Sequence, residues 1–201
     1  MSEKKSAITR IDLLRHGEPI GGRRYRGQID DPLSDKGWQQ MWAAVEGQGP
    51  WQKIITSPLQ RCSAFAEALA EQLAIPFHSE SRIKEVGFGV WEGRGAQELR
   101  DDDPTQLHRF YHDPVGARPD GAEPLHEFVD RVAEVMVEIL SAPKGDAILV
   151  IAHSGVIRAA IAHVLQLPIS SLYRIFIPSA GIVRIELDNE RPPTLVFPSR
   201  S

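Results

Sequence analysis

Leu13-Leu14-Arg15-His16-Gly17-Glu18 closes an apolar run that begins at Ile8. A short apolar run that stops abruptly at charged residues reads as a buried strand of a parallel sheet. The reading places Arg15 and His16 at the carboxyl end of that strand, where open α/β sheets hold their ligands. The Arg15 guanidinium is a planar fork that matches phosphate oxygens. The His16 ring carries a nucleophilic nitrogen near neutral pH. Gly17 permits a sharp turn and a close approach of backbone to ligand.

A second stretch repeats this build. Ala147-Ile148-Leu149-Val150-Ile151-Ala152 is continuously apolar and ends in His153-Ser154-Gly155, and the segment from Val156 to Leu165 has helical spacing. Two strands of one sheet can bring His16 and His153 to a common edge. A helix starting near Ser154 aims its free N–H groups and positive dipole end at the same place. The pattern predicts a phosphate site with a histidine on each side.

The rest of the chain reads as alternating elements. Ser34 to Glu46 is predicted helical with Ser34 as N-cap. Trp51 to Thr56 and Phe77 to Ser79 are predicted strands, and Leu59 to Ala74 a long helix starting after Pro58. Pro124 to Leu140 carries apolar residues at helical spacing. Leu172 to Ile177 and Gly181 to Leu187 read as strands. The alternation implies one α/β domain over residues 1–201, a three-layer sandwich with a mostly parallel central sheet and helices on both faces. Between Glu92 and Pro124 the chain is polar, Asp-rich and broken by prolines, which predicts a partly helical, lid-like excursion over the strand ends.

Composition narrows the partners. A chain of 201 residues can bury a sizeable core. Its 23 Lys+Arg against 27 Asp+Glu, a net charge of −4, gives no bulk reason to expect nucleic acid. An anion must therefore be met by a local arginine cluster. A single cysteine, Cys62, forbids an internal disulfide and points to a reducing compartment. No apolar run approaches the ~18 residues of a membrane span. Met1 to Ser6 is polar and lacks the apolar core of a secretion signal, so cytoplasmic residence is expected. Nothing in the sequence specifies an oligomeric state.

The same residues carry a resemblance. Arg15-His16-Gly17-Glu18 is similar to the R-H-G-E motif of the histidine phosphatase superfamily, in its phosphoglycerate-mutase-like branch. Arg24-Tyr25-Arg26-Gly27-Gln28-Ile29-Asp30-Asp31-Pro32-Leu33 resembles that family's R-x-x-G-x-x-D-x-P-L element. Ser57-Pro58-Leu59-Gln60-Arg61, then Glu85-Val86-Gly87-Phe88-Gly89-Val90-Trp91-Glu92-Gly93, then His153-Ser154-Gly155 follow in family order. Five ordered elements spanning about Ile8 to Val183 make the resemblance specific.

The resemblance implies a phosphatase working through a phosphohistidine. The sequence offers no carboxylate cluster of the kind that cradles Mg²⁺, so no metal and no cofactor are expected. The residues alone leave open which histidine attacks; the resemblance assigns His16. It implies Arg15 and Arg61 as phosphoryl clamps, with Ser154 at the phosphate and His153 donating a hydrogen bond there, more strongly if protonated. Glu85 is expected to be the general acid, its proton retained by the like charge of a neighbouring phosphate. Glu18 is expected to be structural, bonding backbone or an arginine near the turn.

Two departures matter. Pro19 and Gly22 stand where the family has Thr and a phosphate-binding Asn, so Arg24, Arg26 or Gln28 becomes a candidate for substrate contact. Pro124 stands where a Ser cap is usual in the later Gly-Glu-Ser element. Arg23, Arg24 and Arg26 add positive charge beside the site. Length and the Arg24–Leu33 loop resemble the α-ribazole phosphatase group, which implies a small phosphomonoester such as α-ribazole 5'-phosphate. A mutase-type isomerase and a non-catalytic phospho-ligand binder are the other readings.

Overall fold

A computed structural model describes residues 8–197; the polar start from Met1 to Ser6 lies outside them. Six strands form one sheet: β1 (Thr9–Arg15), β2 (Lys53–Thr56), β3 (Phe77–Ser79), β4 (Ala147–Ala152), β5 (Ile182–Leu187) and β6 (Thr194–Val196). Their order is β3-β2-β4-β1-β5-β6. β1 to β4 are parallel, and β5 runs against both of its neighbours. The β1–β4 register pairs Arg15 with Ala152, so the next residues, His16 and His153, leave the sheet side by side.

The side-chain alternation of the central strands builds two cores. Ile11, Leu13, Ile148 and Val150 face α5 (Leu125–Leu140) and α6 (Ser154–Leu165). Leu14, Ile54, Leu149 and Ile151 face α1 (Asp35–Val45) and α2 (Gln60–Leu73). On α5, Phe128, Val132, Val135, Met136 and Ile139 are buried at helical spacing. Each such side chain contributes about 1.5–3 kcal/mol by leaving water. The result is the expected three-layer sandwich.

One cap ties this fold to the site. The Ser34 hydroxyl accepts from Gly37 N at 3.0 Å, as the capping pattern predicts, and donates to Glu18 O at 2.8 Å. The turn after His16 thereby rests on the start of α1. A Cβ on Gly17 would overlap the Gly37 carbonyl, so only glycine permits this backbone contact. The Glu18 carboxylate pairs with Lys36 at 2.8 Å and not with an arginine.

Two elements differ from the sequence reading. Leu172–Ile177 is not a strand: Ile169–Arg174 is a 3-10 helix running into irregular chain. Both edges of β1 are paired, by β4 and β5, and this apolar run, lying outside the sheet, instead buries Leu172 and Ile177. β6 was not expected; it covers the free edge of β5.

The segment between Glu92 and Pro124 contains two short helices, α3 (Ala96–Asp102) and α4 (Gln106–His112). They are packed down. Leu99, Leu107 and Phe110 are buried, Trp91 Nε1 donates to Gln106 at 2.8 Å, and Phe110 meets Trp91 and Tyr173 edge-on. Among the described residues, no helix is long and apolar enough to cross a membrane.

Candidate active site

A cavity of about 630 Å³ opens at the carboxyl end of β1 and the start of α6, with Arg15, His16, Arg61, Glu85 and Ser154 in its wall. His16 is only 6% exposed. Its Nδ1 lies 2.7 Å from the Gly17 carbonyl, which makes Nδ1 the donor and leaves the lone pair on Nε2. No protein group among the described residues bonds Nε2. Burial, then the nearby Arg61 and Arg15 guanidinium groups, hold the His16 pKa well below its ordinary value. The ring is therefore a neutral imidazole at physiological pH.

His153 is close but differently engaged. Its ring meets that of His16 edge-on, centroids 5.2 Å apart. Nδ1 accepts from Arg61 Nε at 3.3 Å, so Nε2 carries the proton and donates to Ser57 Oγ at 2.7 Å. The residue is fully buried and lies behind the cavity wall, not in it. Burial, then Arg61 and His16, depress its pKa strongly, so in this state it is neutral with both nitrogens bonded to protein.

The two expected phosphoryl clamps are held by backbone. Arg15 Nη1 donates to Ile177 O at 2.6 Å, while its Nε is buried without a partner among the described residues. Arg61 donates from Nη1 to Ile29 O at 2.6 Å and from Nη2 to Gly27 O at 2.8 Å, leaving one N–H free on each terminal nitrogen. Burial lowers the pKa of both arginines, but from so high a start that they stay charged.

Glu85 sits against the start of α6. It accepts from Val86 N at 3.0 Å, from Gly155 N at 3.2 Å and from Ser154 Oγ at 3.4 Å. A Cβ on Gly155 would overlap Glu85 Oε1, which explains a glycine inside the first turn of this helix. Behind Glu85, the Arg131 guanidinium on α5 gathers the carbonyls of Arg82, Lys84 and Glu85 and both oxygens of Glu123. That saturated guanidinium fixes the segment bearing the carboxyl.

These features meet a family-level match: a model of the histidine phosphatase superfamily (branch 1) matches residues 11–198. The chain belongs to this superfamily. A bifunctional protein of Mycobacterium tuberculosis (strain H37Rv) is 31% identical over 179 residues, 87% of this chain and 49% of that one. The chain thus spans about half the length of that relative. A probable phosphoglycerate mutase of Salmonella choleraesuis is 29% identical over 183 residues, 89% of this chain and 85% of that one. Among solved structures, a mycobacterial glucosyl-3-phosphoglycerate phosphatase complexed with VO3 is similar with a TM-score of 0.83 and 26% identity, covering 93% of this chain and 96% of the other. An α-ribazole phosphatase from Shigella flexneri shares the fold, with a TM-score of 0.80 and 24% identity over 93% and 94% of the two chains.

In this member of the superfamily the three candidates for substrate contact part ways. Arg24 is exposed in the cavity wall. Arg26 also lines it, but is spent on Asp31 at 2.9 Å and on the carbonyls of Gly22 and Ile20, so it braces the loop. Gln28 is exposed and outside the cavity: the loop turns away after Gly27 to give its carbonyls to Arg61. Gly22, in place of the family's Asn, lines the wall with no side chain.

Several wall residues escaped the sequence reading. Arg158 donates to Ile175 O at 2.8 Å and lies 5.2 Å from the Tyr173 ring centroid. A signal for it existed, since Arg158 follows Ser154 by four residues on one helix and shares its face. Burial raises the Tyr173 hydroxyl to about 12. Arg100 and Tyr111 reach the wall from α3 and α4, and Tyr25 bonds Tyr111 through their hydroxyls at 2.6 Å. No local pattern announces these contacts, because they depend on how the 92–124 excursion folds back.

Proposed function

We propose that this chain is a phosphomonoesterase that hydrolyses a small phosphorylated metabolite through a phosphohistidine on His16. The observation that carries this reading is the His16 ring, neutral, oriented by the Gly17 carbonyl with Nε2 free, and flanked by the buried Arg61 and the half-buried Arg15. Nε2 attacks phosphorus, and the ester P–O bond breaks with its electrons going to the leaving oxygen. Glu85 gives that oxygen a proton. The phosphorylated ring is cationic, and its Nδ1–H bond to Gly17 O stabilises it. Water then attacks phosphorus and passes a proton to Glu85. The P–N bond breaks, inorganic phosphate leaves, and the lone pair returns to Nε2.

Arg15, the free N–H groups of Arg61 and the α6 start at Ser154 supply the positive field for the equatorial oxygens. His153 serves this reading from behind, holding Arg61 and Ser57 in place, and gains contact with phosphate only if its ring turns. The 92–124 excursion acts as the lid that selects the leaving group. Hydrolysis is favoured over phosphoryl return to substrate because the wall includes exposed side chains, Phe176 at 78% among them, that leave the site open to water.

The test is phosphate release across a panel that includes α-ribazole 5'-phosphate, 3-phosphoglycerate, glucosyl-3-phosphoglycerate and p-nitrophenyl phosphate, with an alkaline denaturing quench to retain a phosphoryl group on His16 that is then lost in acid. Turnover without a trapped phosphohistidine, or no turnover of any ester, overturns the reading.

A further inference from the structure

We propose that the outer part of this cavity is a second anion subsite, so that the substrate is a phosphomonoester whose leaving alcohol carries its own negative group, a carboxylate or a second phosphoryl. The proposal rests on the phosphomonoesterase reading for the reacting phosphate, and adds what lies on the other side of the scissile bond.

The argument starts from charge. The chain has a net charge of −4, yet seven arginines line this one cavity. Two of them, Arg15 and Arg61, belong to the reacting phosphate in that reading. Arg26 is neutralised by Asp31 and consumed by loop carbonyls. That leaves Arg23, Arg24, Arg100 and Arg158. Arg24 makes one long bond, 3.4 Å, to Gly93 O, and Arg158 gives one N–H to Ile175 O. Arg23 and Arg100 make no side-chain hydrogen bond and no ion pair among the described residues.

These two uncommitted cations come from different segments, the loop after β1 and helix α3, and both face the same space. Convergent, unpaired arginines repel one another and are stable together only because water or an anion screens them. The other acidic residues in the wall do not supply that anion: Glu18 is held by Lys36, and Glu85 is bonded to the start of α6. Several surface arginines elsewhere have acidic partners, as Arg82 has Glu80 and Glu138, Arg94 has Asp102, and Arg109 has Asp103, although Arg174 is exposed without one among the described residues. A neutral aromatic leaving group would instead use the tyrosines of the wall and gain nothing from these charges.

The experiment measures binding, so it stands apart from turnover. His16→Ala protein, or His16→Asn if the first does not fold, is titrated calorimetrically with matched pairs that differ in the second anion. The pairs are 3-phosphoglycerate with glycerol 3-phosphate, 6-phosphogluconate with glucose 6-phosphate, and fructose 1,6-bisphosphate with fructose 6-phosphate. The expected result is a tenfold to hundredfold tighter Kd for the doubly anionic member of at least one pair, the scale of one charge-assisted contact. That ratio falls at least fivefold in Arg23→Gln and Arg100→Gln, and shrinks in high salt. Preference for the carboxylate or for the bisphosphate identifies the anion. Equal affinity within every pair, a ratio unchanged in both arginine variants, or α-ribazole 5'-phosphate binding as tightly as the dianionic ligands overturns the proposal. Failure of the phosphomonoesterase reading would appear separately, as absent phosphate release and absent phosphohistidine in the unmodified protein.

Discussion

Gly155→Ala isolates the placement of Glu85 from its chemistry. The new methyl would overlap Glu85 Oε1 and lie 3.3 Å from Cζ of Phe128. Phe128 is fully buried in the α5–α6 core, and the Gly155 backbone belongs to a helix, so neither yields easily. The carboxyl moves instead, and its 3.2 Å bond from Gly155 N breaks. A displacement of about 1 Å in a catalytic group costs on the order of 10²-fold. General acid assistance as a whole is worth roughly 10²–10⁴-fold. Turnover of an alkyl phosphate should therefore fall about 10²-fold, less than in Glu85→Ala. p-Nitrophenyl phosphate, whose oxygen leaves without a proton, should lose less than about tenfold. The fold should persist, because alanine gains about 1 kcal/mol over glycine in a helix and overpacking costs about 1–3 kcal/mol. The decisive measurement is a double-mutant cycle by phosphate release. On a Glu85→Ala background, Gly155→Ala should cost almost nothing. Full additivity, or near-unmodified activity of Gly155→Ala on alkyl esters, would refute the assignment of Glu85 as acid at this position.

His16→Ala should lose at least about 10⁴-fold in turnover while keeping its far-UV circular dichroism, since the ring contributes little packing; comparable residual activity would reject it as nucleophile. Acid stability follows from the two depressed histidines. Below their ordinary pKa of about 6.5 the unfolded chain binds protons that folded His16 and His153 refuse, so stability falls as pH drops from about 6.5 toward the lower folded values. The slope reaches at most about 1.4 kcal/mol per pH unit for each ring, and should be reduced in His153→Gln; urea denaturation from about pH 5 to 7.5 with no such reduction would contradict the burial argument. Phosphate release should be insensitive to a chelator, because the positive field of the proposed site comes from arginines and a helix start; loss of activity that a divalent ion restores would overturn that view.

Much of this molecule was legible in the sequence for one physical reason: strands and helices with strong apolar periodicity are local, and their ends fall where the pattern breaks. The runs ending at Arg15 and Ala152 fixed β1 and β4 before any contact was known, and the Ser34 cap and the α5 stripe were equally explicit. The Arg-His and His-Ser-Gly ends carried the chemistry with them. At Leu172–Ile177, which lies outside the sheet, the local pattern could not choose between strand and 3-10 helix. Tertiary structure alone decided what each side chain spends its bonds on. It turned His153 to Ser57 and Arg61, committed Arg26 to its own loop, and left Gln28 outside. It seated Glu85 on Gly155, 70 residues away. It also brought Arg23 and Arg100 to one cavity from segments with no shared pattern. Such contacts join residues distant in sequence, and their geometry is set by how whole elements pack, a quantity no short window of the chain contains.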